Sequence, residues 1–85
     1  MEKISVPGLT FMFYDNYIEI TNRLGFLGFL FPKKVVIAYR NIASVDANVG
    51  TGKLVIETSG GKTYKYKTGF SANKIKDKIL NNLGK

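Results

Sequence analysis

Thr10-Phe11-Met12-Phe13-Tyr14-Asp15-Asn16-Tyr17-Ile18-Glu19-Ile20-Thr21 alternates in character on both sides of a two-residue Asp-Asn break. Alternation at period two marks half-buried strands, and Asp and Asn tolerate the positive φ that a primed hairpin turn requires. Closing the chain at Asp15-Asn16 sets Phe13 opposite Ile18 and Phe11 opposite Ile20, all on one face. Thr10, Met12, Tyr14, Tyr17, Glu19 and Thr21 share the other face, so turn and pattern agree on register.

Further along, Lys53-Leu54-Val55-Ile56-Glu57-Thr58 and Lys62-Thr63-Tyr64-Lys65-Tyr66-Lys67 flank Ser59-Gly60-Gly61. A two-residue Gly-Gly turn would oppose Ile56 to Lys65 and Leu54 to Lys67, mixing core and solvent residues on each face. A three-residue loop with a glycine bulge opposes Ile56 to Tyr64 and Leu54 to Tyr66 and turns the lysines outward, so it is the expected register. Between the hairpins, 35–39 and 42–49 are rich in β-branched residues, and the three-residue step from Ile42 to Val45 predicts a bulge near Ala43-Ser44. Lys3 to Val6 reads as a short strand broken by Pro7-Gly8.

The tail changes period. Ala72, Ile75, Ile79, Leu80 and Leu83 recur at helical spacing, with Ser71 as the expected N-cap and Gly84 as the stop. Lys74, Lys76 and Lys78 fall outside the apolar stripe and form a solvated face. The expected order is six or seven antiparallel strands over about 3–68 and one amphipathic helix over about 71–83, in a single domain spanning 1–85. So many twisted strands hide their edges by bending into two near-orthogonal sheets or a barrel, and the helix covers the open end.

Composition excludes several chemistries. The 85 residues include no Cys, His or Trp, which removes disulfide scaffolds, thiolate nucleophiles, Cys/His zinc sites and His-dependent catalysis. Asp15, Glu19, Asp46, Glu57 and Asp77 are scattered without paired spacing, so the expectation is that the chain is not an enzyme and uses no cofactor or metal. The net charge is +7; residues 1–42 carry five basic and three acidic side chains, residues 43–85 eight and three. Such a field favours anionic partners and also keeps a protein soluble. Gly50-Thr51-Gly52-Lys53 lacks the first glycine, the hydroxyl residue and the helix of a phosphate loop and reads as a plain turn. Export signals are absent and the longest apolar run is far below the length of a membrane span, giving a cytoplasmic expectation, with peripheral placement at the inner membrane face as its extension.

Tyr39-Arg40-Asn41-Ile42-Ala43-Ser44-Val45-Asp46, the hairpin Leu54 to Tyr64 and the helix from Ser71 to Leu83 together resemble the small pleckstrin-homology-like (PH-like) domains of bacteria. The resemblance spans most of the chain through core periodicity and turns. It implies a bent antiparallel barrel capped by the C-terminal helix, a fold used for binding phosphoinositides, peptides or other domains and rarely for catalysis. The Asp15-Asn16 loop is acidic and departs from the basic hairpin loop of phosphoinositide-binding members.

Arg23-Leu24-Gly25-Phe26-Leu27-Gly28-Phe29-Leu30-Phe31-Pro32-Lys33-Lys34 places Leu24, Phe26, Leu27, Phe29, Leu30 and Phe31 where a polar loop is expected. Three readings stand: burial as an edge strand or lid, self-association, or insertion into lipid headgroups with Arg23, Lys33 and Lys34 on the phosphates. The alternating lysines and tyrosines of 62–67 would suit single-stranded nucleic acid only if the rings were exposed. The expected function is a non-catalytic interaction module binding a protein partner or its own copies. The alternative is peripheral binding to anionic membrane through 24–34, and nucleic acid ranks lower.

Overall fold

The computed structural model describes residues 2–23 and 33–83. Among the described residues seven strands form two antiparallel sheets, followed by one helix. Strands β1 (Glu2–Val6), β2 (Leu9–Phe13), β3 (Tyr17–Asn22) and β4 (Lys33–Ala38) build the first sheet in that order. A 3-10 turn at Tyr39–Asn41 carries the chain into the second sheet, β5 (Ile42–Asn48), β6 (Lys53–Thr58) and β7 (Thr63–Lys67). After a second 3-10 turn at Gly69–Ser71, α1 runs over Ala72–Leu83.

Both hairpin registers are those the alternation demands. Phe13 pairs with Ile18 and Phe11 with Ile20, while Ile56 pairs with Tyr64 and Leu54 with Tyr66. Gly61, at φ +87°, donates to the Thr58 carbonyl at 3.0 Å and supplies the glycine bulge of a three-residue loop. The β5–β6 register shifts between Ile42 and Ser44, at the expected bulge. Pro7-Gly8, with Gly8 at φ +80°, turns β1 onto β2 as a Pro-Gly pair does.

Four expectations need correction. The Asp15-Asn16 turn is not primed, since neither residue has a positive φ. It is held instead by the stacked rings of Tyr14 and Tyr17, 4.6 Å apart, and by the Tyr39 N–H donating to the Asn16 carbonyl at 3.1 Å. The strands do not close into a barrel: no ladder joins the sheets among the described residues, because the turn at Tyr39–Asn41 separates β4 from β5. Ser71 does not cap α1; it lies in the preceding 3-10 turn, whose backbone bonds from Ser71 to Thr68 and from Ala72 to Gly69 take up the first amides. Leu80, one step round from Ile79, leaves the apolar stripe and is exposed.

The core is one cluster drawn from both sheets and the helix. Phe11, Ile18, Ile20, Leu54, Ile56, Ile75 and Ile79 are fully buried, with Phe13, Ile37 and Tyr66 nearly so and Tyr64 half-buried against them. The helix lies against β5, β6 and β2, so it fills the gap between sheets that no ladder joins among the described residues. Glu2 of β1 and Lys78 of α1 form an ion pair across that junction.

Candidate functional site

Among the described residues, strand β4 is hydrogen-bonded to β3 alone and forms an edge of the first sheet. Its register with β3 runs Ile18–Ile37, Glu19–Val36 and Ile20–Val35, so Val35 and Ile37 face the core while Val36 faces outward. Three β-branched residues in a row suit a strand buried on both sides, yet Val36 is 59 % exposed. The start of the strand is blunted by the exposed Lys33 and Lys34, and Val36 is the apolar side chain it leaves open to solvent.

Two clefts flank this residue. The larger, of about 810 Å³, lies between the Asp15-Asn16 turn, the Tyr39-Arg40 segment and the end of α1 at Asn82 and Leu83, with Val36 and Ala38 on its wall. The smaller, of about 350 Å³, lies between β4 and the β6–β7 loop and is lined by the same Val36 and Ala38 together with Asn41, Ser59, Lys62 and Tyr64. The two clefts meet along β4. Lys62 stands 5.7 Å from the Tyr64 ring centroid, a cation over an aromatic face.

Tyr39 borders the larger cleft and is 5 % exposed, and its hydroxyl has no hydrogen-bond partner among the described residues. Burial pushes its pKa up to about 12, and the negative charge of Asp15 adds to the shift. The phenol is therefore held neutral, with its hydroxyl buried behind the cleft wall.

Of the residues expected to form the site, Leu24, Phe26, Leu27, Phe29, Leu30 and Phe31 lie outside the described residues. Arg23, Lys33 and Lys34 are exposed where β3 ends and β4 begins. Lys34 is paired with Glu19 at 3.3 Å, so part of the basic flank is neutralised within the sheet. The tyrosines of 62–67 do not form a stacking platform: Tyr66 is buried and Tyr64 half-buried, as their inward register requires. Gly50-Thr51-Gly52 is a turn, closed by the Thr51 N–H on Asn48 Oδ1 at 3.2 Å. Among the described residues no three metal-ligating side chains gather, and no helix is long and apolar enough to cross a membrane.

The sequence marks Tyr39 and Arg40 only as part of the PH-like resemblance, and neither they nor Val36 as site residues. The weak signal for Val36 was positional, since the register of β3 fixes which of Val35, Val36 and Ile37 must point outward. No family model, curated protein or solved structure matches the chain.

Proposed function

We propose that this chain is a non-catalytic interaction module of PH-like kind that binds a protein segment, from a partner or a second copy, along the edge of β4. The order of four strands, three strands and a C-terminal helix supports the PH-like assignment. The observation that carries the binding reading is Val36, exposed in mid-edge where two clefts meet. An extended segment added there would gain main-chain hydrogen bonds from the edge and cover an apolar side chain, while the clefts receive its alternate residues. The apolar run 24–31 leads directly into the same strand and belongs to this reading by its place in the sequence.

Sedimentation velocity across a concentration series tests the self-pairing form. Its expected outcome is a mass above the 9.5 kDa chain that returns to one chain in Val36→Lys. The foreign-partner form is tested by a photo-crosslinking residue at position 36 in producing cells, with exposed Asn73 as the control position. Specific adducts at 36 and none at 73 are expected. A single-chain mass throughout, together with no adduct from position 36, rejects the proposal.

A further inference from the structure

A second surface lies away from β4, where β7 passes into α1. Phe70 is 90 % exposed, the most exposed of the large apolar side chains described. It is displayed on a tightly held turn. The Thr68 and Gly69 N–H groups both donate to the Gly52 carbonyl, at 2.8 and 3.0 Å. A Cβ on Gly52 would stand 3.0 Å from the Gly69 Cα, so two glycines with positive φ pack backbone against backbone, the second of them next to Phe70 in the chain.

The surroundings of that turn are cationic. Lys53 and Lys67 are paired directly across β6 and β7, an arrangement of like charges that works against the fold. Both are exposed, as are Lys65 on the same face and Lys74 four residues beyond Phe70. The ion pairs among the described residues are Lys34–Glu19 and Lys78–Glu2, and neither involves these four lysines. On this sheet face Asp46 shares the cross-strand row of Val55 and Lys65, and Glu57 lies one row further along opposite Thr63, so the row of Lys53 and Lys67 next to the turn holds no carboxylate.

We propose that Phe70 and its surrounding lysines form a membrane-docking tip, in which the ring enters the headgroup boundary of an anionic bilayer and the lysines meet lipid phosphates. The occupant follows from shape and composition. A lone convex apolar residue needs either a matching pocket or a medium that deforms around it, and a ring of lysines is depleted at protein interfaces but favoured at anionic lipid. Single-stranded nucleic acid would use several exposed rings for successive bases, and this surface offers one. The docking tip is separate from the β4 edge and stands whether or not a protein binds there.

The chain has no tryptophan, so Phe70→Trp provides a single reporter. Its emission is expected to shift to the blue with vesicles of phosphatidylserine and phosphatidylcholine and to stay unchanged with phosphatidylcholine alone. Phe70→Ala should weaken sedimentation with the anionic vesicles about tenfold or more, at an unaltered unfolding midpoint. Joint Lys53→Glu and Lys67→Glu replacement should abolish it. The proposal is overturned if the intact chain does not sediment with anionic vesicles at low ionic strength, or if Phe70→Ala binds them as well as the parent. It is equally overturned if Phe29→Asp, and not Phe70→Ala, removes binding, or if polyuridylate shifts the reporter while vesicles do not.

Discussion

Phe11 of the first sheet and Tyr66 of the second meet edge to face, their ring centroids 5.8 Å apart and their planes at 87°. With no ladder between the sheets among the described residues, contacts of this kind and the helix hold them together. Truncation of Tyr66 to Ala is expected to cost about 3–5 kcal/mol, as for other buried aromatic residues. A double-mutant cycle with Phe11→Leu and Tyr66→Leu should return a coupling of about 0.5–1.5 kcal/mol in urea unfolding. A coupling near zero would show that the ring pair acts only through the area it buries.

Tyr39 and Tyr66 are both pushed up to about 12, chiefly by burial, with Asp15 adding to the first shift and Tyr64 to the second. An unfolded tyrosine ionises near pH 10, so the folded chain holds these two protons more tightly. The resulting stability is complete below about pH 10 and is lost as pH rises towards 12. Urea midpoints measured across that window should fall, and the combined Tyr39→Phe and Tyr66→Phe variant should flatten the decline. An equally steep fall in that variant would assign the alkaline transition elsewhere.

At neutral pH, Tyr39→Phe alone removes a buried hydroxyl that has no partner among the described residues. Relief of that desolvation should leave the protein as stable as the parent or more stable by about 1 kcal/mol. A loss of that size in thermal unfolding would mean that the hydroxyl is bonded in solution.

Gly52→Ala and Gly60→Ala should part company. The first places a Cβ at φ +70° and 3.0 Å from the Gly69 backbone, which cannot give way as a flexible side chain would. A loss of about 1–3 kcal/mol is expected. Gly60 has an ordinary φ and only the Thr58 Oγ1 at 4.0 Å, so its replacement should change stability by less than about 0.5 kcal/mol. Equal effects in chemical unfolding would dissolve the link between the two turns.

Val36→Lys should be silent in the isolated chain, within about 0.5 kcal/mol, because the side chain faces outward. Hydrogen exchange on the associated protein should show the amides of 34–38 slowed in the parent and fast in this variant. If exchange there is the same in both, β4 is not the contact edge.

How far the fold could be read in advance depended on how many constraints met at each residue. At Ile56 and Tyr64, turn length, bulge glycine and alternation all selected one register, and at Ile42 the broken alternation located the bulge. The Asp15-Asn16 turn differs from expectation because the tolerance of Asp and Asn for positive φ permits a primed turn without requiring one, and here the turn closes through the Tyr14 N–H on the Tyr17 carbonyl with both residues at negative φ. The expectation of barrel closure failed because the 3-10 turn at Tyr39–Asn41 leaves no periodic trace. Both candidate surfaces were hidden from pattern reading. Val36 stood within an unbroken β-branched run, and Phe70 fell between the last strand residue and the first helical one, where neither period applied.

Ile75 and Ile79 complete the interior only once the chain has been made past residue 79. Without that apolar wedge, the inner faces of both sheets lose part of their cover. Chains truncated before residue 72 should be strong chaperone clients, and chains that include 72–83 should escape.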